Sequence, residues 1–100
     1  MNKDAAVQLY KIADEFINLA NDMVTEQNAD LQNVGSALRY AAARFTAHET
    51  AYNSKDLAAE KDEAIKWFLN QYSEMLEENF DQHIAHYTKL AEETESLTKQ

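Results

Sequence analysis

Apolar side chains recur at helical spacing along three stretches of this chain, which are separated by two short polar breaks. In the first stretch, Leu9, Phe16 and Met23 repeat every seven residues. Two flanks border this stripe: Ile12 and Leu19 on one side, and Ala6, Ala13, Ala20 and Val24 on the other. Because polar residues fall opposite, the pattern predicts a helix from about residue 4 to residue 27 with one apolar side facing a core.

The second stretch is apolar on two faces of its helix. It follows the polar break "NADLQN", where Asp30 or Asn33 is expected to cap the helix start, and it runs to about Tyr52. The main face and the second face are formed by two sets: Val34, Leu38, Ala41, Ala42, Phe45 and Tyr52; and Ala37, Tyr40, Ala47 and Ala51. Because two apolar faces need two neighbours, we expect this helix to form the middle layer of the fold. One strip is expected to face water: Arg39, Ala43, Thr46 and Thr50.

The third stretch follows the break "NSKD", where Ser54 or Asp56 is expected to cap a helix. Its apolar residues share one face: Leu57, Ala58, Ile65, Phe68, Leu69, Tyr72, Met75 and Leu76. The same face continues through less apolar positions: Asn79, His83, His86, Tyr87 and Leu90.

The length of this third helix raises a packing problem. A single helix over residues 57–90 would be about 50 Å long, whereas the first two helices are nearer 35 Å, so that its last turns would have nothing to pack against. The sequence therefore predicts a break near "NFDQ", where Asn79 or Asp81 caps a short fourth helix over about 82–93. The alternative is one straight helix whose overhang packs on a second subunit.

These elements predict an all-α fold, an antiparallel three-helix bundle with a C-terminal helical extension. Composition agrees, because the 100 residues include no proline and a single glycine, Gly35, and 45% of them are hydrophobic. Turn-rich β-folds use more glycine and proline, and disordered chains are less apolar. We expect one domain over residues 1–93, followed by a polar, frayed tail over residues 94–100.

The net charge of −9 limits the classes of partner. A field of this sign repels nucleic acid and anionic membranes, so neither is an expected partner. It would suit a basic protein, for which this chain could serve as an acidic decoy. The chain has no cysteine, and no apolar run is long enough for a signal peptide or a membrane span. The sequence thus predicts an acidic, cytoplasmic protein.

Three ionisable residues lie within the apolar second helix: Arg44, His48 and Glu49. Arg44 and His48 fall between the two faces, whereas Glu49 falls on the main face, one turn beyond Phe45. A buried carboxylate must pair or take a proton, because an unpaired buried charge is costly. One interpretation is a cluster that binds a small anion or moves a proton. The simpler interpretation, which we favour, is a set of inter-helix pairs at the edge of a core.

Metal and catalytic signatures are missing from the sequence. Di-iron bundles place a glutamate three residues before a histidine, and none of the three histidines follows that pattern. His83 and His86 could form a surface zinc site with Glu78 or Glu49, but such spacings arise often by chance. One glycine cannot build a phosphate-binding loop, and no serine lies on a strand-to-helix elbow. We therefore predict no enzyme activity, no catalytic residue, no metal and no cofactor.

Trp67 lies about 100° from the centre of the third helix's apolar stripe, on a side that it shares with Ala64 and Gln71. At this position it would cover a seam of the bundle. Alternatively it marks a contact with another chain, since tryptophan is enriched as an anchor at interfaces. We treat Trp67, Ala64 and Gln71 as a candidate interaction surface.

Three segments stand out as a set: "EFINLAN" at 15–21, "ALRYAAARFTAH" at 37–48 and "YSEMLEENFDQHI" at 72–84. Together they resemble a small family of proteobacterial proteins of unknown function, over about residues 15–90. The resemblance implies a small, all-helical bacterial protein, and it implies no activity, ligand or catalytic residue. Four polar positions within the segments are not explained by packing: Asn18, Asn21, Arg44 and Asn79.

Two functions follow from these observations. The first is a small, soluble, non-enzymatic protein–protein interaction module, with an unknown protein partner or with self-association. It predicts a partner that is lost when the outer face of the third helix is mutated. The alternative is a small-ligand or metal-binding helical bundle that uses Arg44, His48 and Glu49, and it predicts a cavity beside the second helix.

Overall fold

A computed structural model describes residues 3–98, and within them it contains three α-helices and no strand. The helices are α1 (Lys3–Thr25), α2 (Leu31–Asn53) and α3 (Leu57–Thr98). The all-α prediction is therefore confirmed. The chain divides after Asn53 into two units, a helical hairpin formed by α1 and α2, and α3. Among the described helices, none combines the length and the apolar character needed to cross a membrane.

The turn between α1 and α2 is closed by its own backbone. Asn28 has a φ of 55°, in the left-handed region where asparagine is enriched among residues other than glycine. The N–H of Ala29 donates to the carbonyl oxygen of Met23 at 2.9 Å. Asp30 then caps α2, because its Oδ2 accepts the N–H of Asn33 at 3.1 Å. Of the two predicted caps, the structure uses Asp30.

The start of α3 is fixed by Asp56 and Ser54. The Oδ1 atom of Asp56 accepts the N–H of Ala59 at 3.2 Å, which satisfies one of the amides that a helix start leaves unpaired. The Ser54 hydroxyl donates to the carboxylate of Glu60, so the connection is tied to the first turn of the helix. The predicted break at "NSKD" is confirmed, with Asp56 as the cap.

We expect Asp56→Ala to lower the free energy of unfolding by about 1 kcal/mol, because alanine at this position leaves the amide of Ala59 without its acceptor. The control is Asp81→Ala, which makes the same change of charge inside α3, where alanine is the better helix former. Its stability should be unchanged or slightly raised. Urea unfolding followed by circular dichroism at neutral pH measures both variants. Equal losses in the two would show that charge, and not capping, is responsible.

The helix α3 runs unbroken through the position where a break was predicted. Asn79 does not cap a new helix, because its Nδ2 donates back to the carbonyl oxygen of Met75 at 2.8 Å. The carbonyl oxygen of Asn79 lies 2.9 Å from Nδ1 of His83. The short fourth helix predicted over 82–93 is therefore not formed, and these residues belong to α3. An asparagine that bonds within its own helix does not end it, and no proline or glycine follows that would.

The three helices differ in length. The 42 residues of α3 span about 63 Å, against about 35 Å for the 23 residues of α1 and of α2. The described part of the predicted tail, residues 94–98, is helical, and Thr98 Oγ1 donates to the carbonyl oxygen of Glu95 at 2.9 Å. Residues 99 and 100 lie outside the described residues. The fraying of the tail and the single domain over residues 1–93 stay predictions.

The helices α1 and α2 contact each other, and away from the turn the partly covered residues are small. Away from the turn, the least exposed positions are Ala6 and Ala20 on α1, and Thr46 and Thr50 on α2. Ala6 and Thr50 lie equally far in sequence from Asn28, as expected for antiparallel helices joined by a short turn. Thr46 and Thr50 were predicted to face water. That prediction is wrong because small side chains, and not large ones, let the two helices approach closely.

The large apolar stripes of the hairpin are exposed. Phe16 on α1 and Phe45 on α2 both face solvent, and no residue in the described part of the chain is buried. The predicted middle-layer position of α2 is not confirmed, since its alanine-rich second face is exposed as well. Periodicity shows which side of a helix is apolar, but it does not show what covers that side.

Both stripes lie on the same side of the hairpin. Residues are about 100° apart around a helix axis, so the stripe of α1 is rotated by roughly a quarter turn from Ala6 and Ala20. The stripe of α2 is rotated by a similar angle, in the same sense about its own axis, from Thr46 and Thr50. Because the two axes are antiparallel, these rotations place both stripes on the same side of the hairpin. The hairpin thus has one broad apolar side, which we call the hairpin face: Leu9, Ile12, Phe16, Leu19, Leu38, Phe45 and Tyr52.

Candidate functional site

The predicted trio of Arg44, His48 and Glu49 lies exposed on α2. The guanidinium carbon of Arg44 lies 5.1 Å from the centre of the Tyr40 ring, within the range of a cation–π contact. The ring centre of His48 lies 5.8 Å from that of Phe45. In the described part of the chain, neither Arg44 nor Glu49 forms an ion pair. The inter-helix pairs expected here are therefore not formed, and the charged groups keep their contact with water.

A shallow hollow runs along α2 beside these residues. It is lined by Ala37, Tyr40, Ala41, Arg44, Phe45 and His48. All six belong to one helix, so the hollow is the side of α2 and not an enclosed cavity. Small-molecule sites usually surround most of the ligand, which a single helix cannot do. The structure brings Arg44 and His48 together with two aromatic rings, but Glu49 does not line the hollow.

The histidines of α3 contact an aromatic neighbour. The ring centres of His83 and His86 lie 6.5 Å and 5.4 Å from that of Tyr87. No group of three potential metal ligands comes together within residues 3–98. The zinc site considered for His83 and His86 with Glu78 or Glu49 thus gains no support from the geometry.

The candidate interaction surface of Trp67, Ala64 and Gln71 lies on one side of α3 at helical spacing. Trp67 is exposed, and its ring meets that of Phe68 edge to face with 5.0 Å between the centres. Gln71 is exposed and Ala64 is partly covered. The indole is therefore oriented by its neighbour on the same helix, while the rest of its surface faces solvent.

The structure shows a further apolar stripe on α3, of which the sequence interpretation had named only Tyr87. Phe80, Ile84, Tyr87 and Ala91 are spaced by four, three and four residues, which is the pattern of one side of a helix. All four are exposed, and we call them the C-terminal stripe. Their spacing was the signal that could have revealed them. The break expected near Asn79 concealed it, because a break there separates Phe80 from the helix turns that precede it.

Comparison with known proteins shows a family. A family model described as "Protein of unknown function (DUF3144)" matches residues 9–84, which include the three segments that carried the resemblance. No curated protein and no solved structure matches the chain. The match assigns no ligand or active residue to any position, and the bacterial origin implied by the resemblance stays a prediction.

Proposed function

We propose that this chain, which belongs to the DUF3144 family of proteins of unknown function, is a small non-enzymatic protein–protein interaction module. The observation that carries the proposal is the apolar surface of its helices. Large apolar side chains are exposed on all three helices, and none in the described part of the chain is buried. These side chains form the hairpin face, the C-terminal stripe and the surroundings of Trp67.

Such surfaces favour contact with other protein surfaces. Soluble monomers rarely leave a contiguous apolar patch larger than a few hundred Å² in water. Covering one side chain such as Phe16 or Phe45 stabilises an assembly by roughly 1.5–3 kcal/mol. The core of a protein interface provides apolar cover of this kind. Nucleic acid does not suit a chain with a net charge of −9.

The antiparallel three-helix bundle is part of this proposal. Two features support this arrangement, one on the hairpin and one on α3. The hairpin face is a surface of the kind that a third helix packs against. The first half of α3 carries an apolar stripe of its own: Leu57, Ile65, Phe68, Leu69, Tyr72 and Leu76.

The alternative function is not adopted. A small-ligand or metal-binding bundle that uses Arg44, His48 and Glu49 needs the three side chains to converge. Arg44 and His48 line the hollow on α2 and Glu49 does not. Catalysis is likewise not proposed, and the cytoplasmic location stays a prediction.

Trp67→Ala tests the interaction surface. The tagged full chain is used to capture a partner from a native lysate, and the purified partner is then titrated against each variant. We expect Trp67→Ala to weaken binding about tenfold or more, because a tryptophan at an interface often carries much of the binding energy. The control is Ser73→Ala, on another side of α3, which should bind as the unaltered chain does.

Two results would count against the proposal in different ways. If the lysate yields no enriched partner and the chain does not bind another copy of itself, the interaction module is contradicted. If a partner is captured and Trp67→Ala binds it normally, the surface around Trp67 is not the binding surface. The hairpin face and the C-terminal stripe are then the remaining candidates.

A further inference from the structure

The helix α3 is much longer than either helix of the hairpin. The connection between α2 and α3 is three residues long, and α3 has 42 residues against 23 in each helix of the hairpin. In the proposed bundle, the helices of the hairpin would border about the first 23 residues of α3, up to Asn79. Residues 80–98 are left, a segment about 28 Å long. We call this segment the overhang.

The overhang is amphipathic. Its apolar side contains the C-terminal stripe, with Leu90 and Leu97 on one flank. The opposite side is mainly polar: Asp81, Gln82, Ala85, Lys89, Glu92 and Ser96. An amphipathic helix places its apolar side against another element, and in the proposed bundle the hairpin does not reach this segment.

The C-terminal stripe is complementary to itself when the helix is reversed. In an antiparallel pair of overhangs, Phe80 would face Ala91 of the second copy, and Ile84 would face Tyr87 of the second copy. Each aromatic ring thus meets a smaller side chain, which is how facing helices interdigitate. A two-fold axis between Ala85 and His86 relates the two halves, as in the symmetric dimers that are the commonest protein assemblies.

The apolar stripe supplies a large part of the area that a specific dimer needs. Full burial of a large apolar side chain removes about 60–120 Å² of its surface from contact with water. This range is the usual free energy of burying such a side chain divided by the free energy per unit of apolar area. Phe80, Ile84, Tyr87 and Leu90 in two copies would together bury about 500–1,000 Å². Specific interfaces bury about 1,200–2,000 Å² in total, and the residues that flank the stripe would add to the sum.

We propose that a second copy of this chain covers the C-terminal stripe in an antiparallel pair of α3 helices. The inference rests on the proposed function and names one partner for it. Because each copy carries a net charge of −9, long-range repulsion opposes the pairing. Added salt screens that repulsion and strengthens the dimer, whereas it would weaken the binding of a basic protein.

Sedimentation equilibrium of the full chain tests the pairing. We expect a mass of twice 11.4 kDa, with self-association that strengthens between low and high salt. Ile84→Glu should weaken it about tenfold or more, because it places a carboxylate in the apolar contact of both copies. The control is Ala85→Glu, the next residue on the opposite side of α3, which makes the same change of charge and should leave the dimer intact. Circular dichroism shows whether each variant keeps its helices.

Cysteine crosslinking tests the orientation, since the chain has no cysteine of its own. Chains with Phe80→Cys mixed with chains with Ala91→Cys should form a disulfide between copies, and chains with Ala91→Cys alone should not. Crosslinking of Ala91→Cys chains to one another would overturn the antiparallel arrangement. If Ile84→Glu unfolds the helix, this crosslink and the mass of the unaltered chain still decide the proposal.

A failure of this inference is distinguishable from a failure of the proposed function. An unaltered chain that stays monomeric at every salt concentration overturns the dimer. If that monomer still captures a partner that Trp67→Ala loses, the interaction module stands without self-association. If it captures none, both proposals fall.

Discussion

Phe16→Ala is expected to lower the free energy of unfolding by about 3–5 kcal/mol. In the single chain Phe16 is 58% exposed, and truncation of a side chain that is exposed in solution costs about 0.5 kcal/mol or less. The large loss is expected because Phe16 belongs to the hairpin face, which our proposal covers with protein in solution. Urea unfolding at a fixed protein concentration measures the difference.

Tyr10→Ala is the matched control for this experiment. Tyr10 is also an aromatic residue of α1 and is 56% exposed, but it lies outside the hairpin face. We expect a loss of about 0.5 kcal/mol. Similar small losses in both variants would mean that the hairpin face is open to water in solution, which would contradict the proposal.

Ala20→Leu is expected to lower the free energy of unfolding by about 1–3 kcal/mol, because extra methyl and methylene groups force closely packed elements apart. Ala20 is one of the small residues where α1 and α2 approach each other. Alanine and leucine are both good helix formers, so helix propensity contributes little to the change. The same unfolding experiment measures it.

The control for the small-residue contact is Ala47→Leu. Ala47 is exposed on a side of α2 away from α1, and its substitution should change stability by about 0.5 kcal/mol or less. If Ala20→Leu were equally harmless, the two helices would not be held together at their small residues, and the orientation of the hairpin face would have to be revised.

Local signals in the sequence predicted where α2 and α3 begin. Asp30 and Asp56 were candidates because a carboxylate before an apolar helical pattern can accept a backbone amide, and both do so. The continuity of α3 was not predicted. A break was predicted because α3 would be longer than the neighbouring helices. Instead, the side chain of Asn79 donates to the carbonyl oxygen of Met75 in the same helix. The lengths of neighbouring helices determine how much of a helix they can cover, but they do not determine where that helix ends.

The faces of the helices were predicted only in part. The apolar stripes on α1 and α2 are where periodicity placed them, but the contact between the helices uses the flank of Ala6 and Ala20, together with Thr46 and Thr50. Side-chain size decides how closely two helix axes approach, and periodicity contains no information about distance. The sequence therefore gave no reason to prefer the small flank over the large stripe.

The candidate residues illustrate the same limit. Sequence spacing places Arg44 and His48 one turn apart, and they share the hollow on α2. Glu49 was expected to pair because it was expected to be buried, and its exposure removes the reason. Exposure depends on what lies opposite a residue, which one helix in isolation cannot specify.

The most direct test of the central claim, that the apolar stripes are contact surfaces covered by protein in solution, is hydroxyl-radical footprinting of the full chain. Tyr87 belongs to the C-terminal stripe, and Tyr40 belongs to the second face of α2. The two are 64% and 66% exposed in the single chain, so a difference between their oxidation rates reports on contacts that the single chain does not show. Our account predicts that Tyr87 is oxidised several-fold more slowly than Tyr40, and Phe16 more slowly than Tyr10 after correction for intrinsic reactivity. Equal rates within each pair would contradict it.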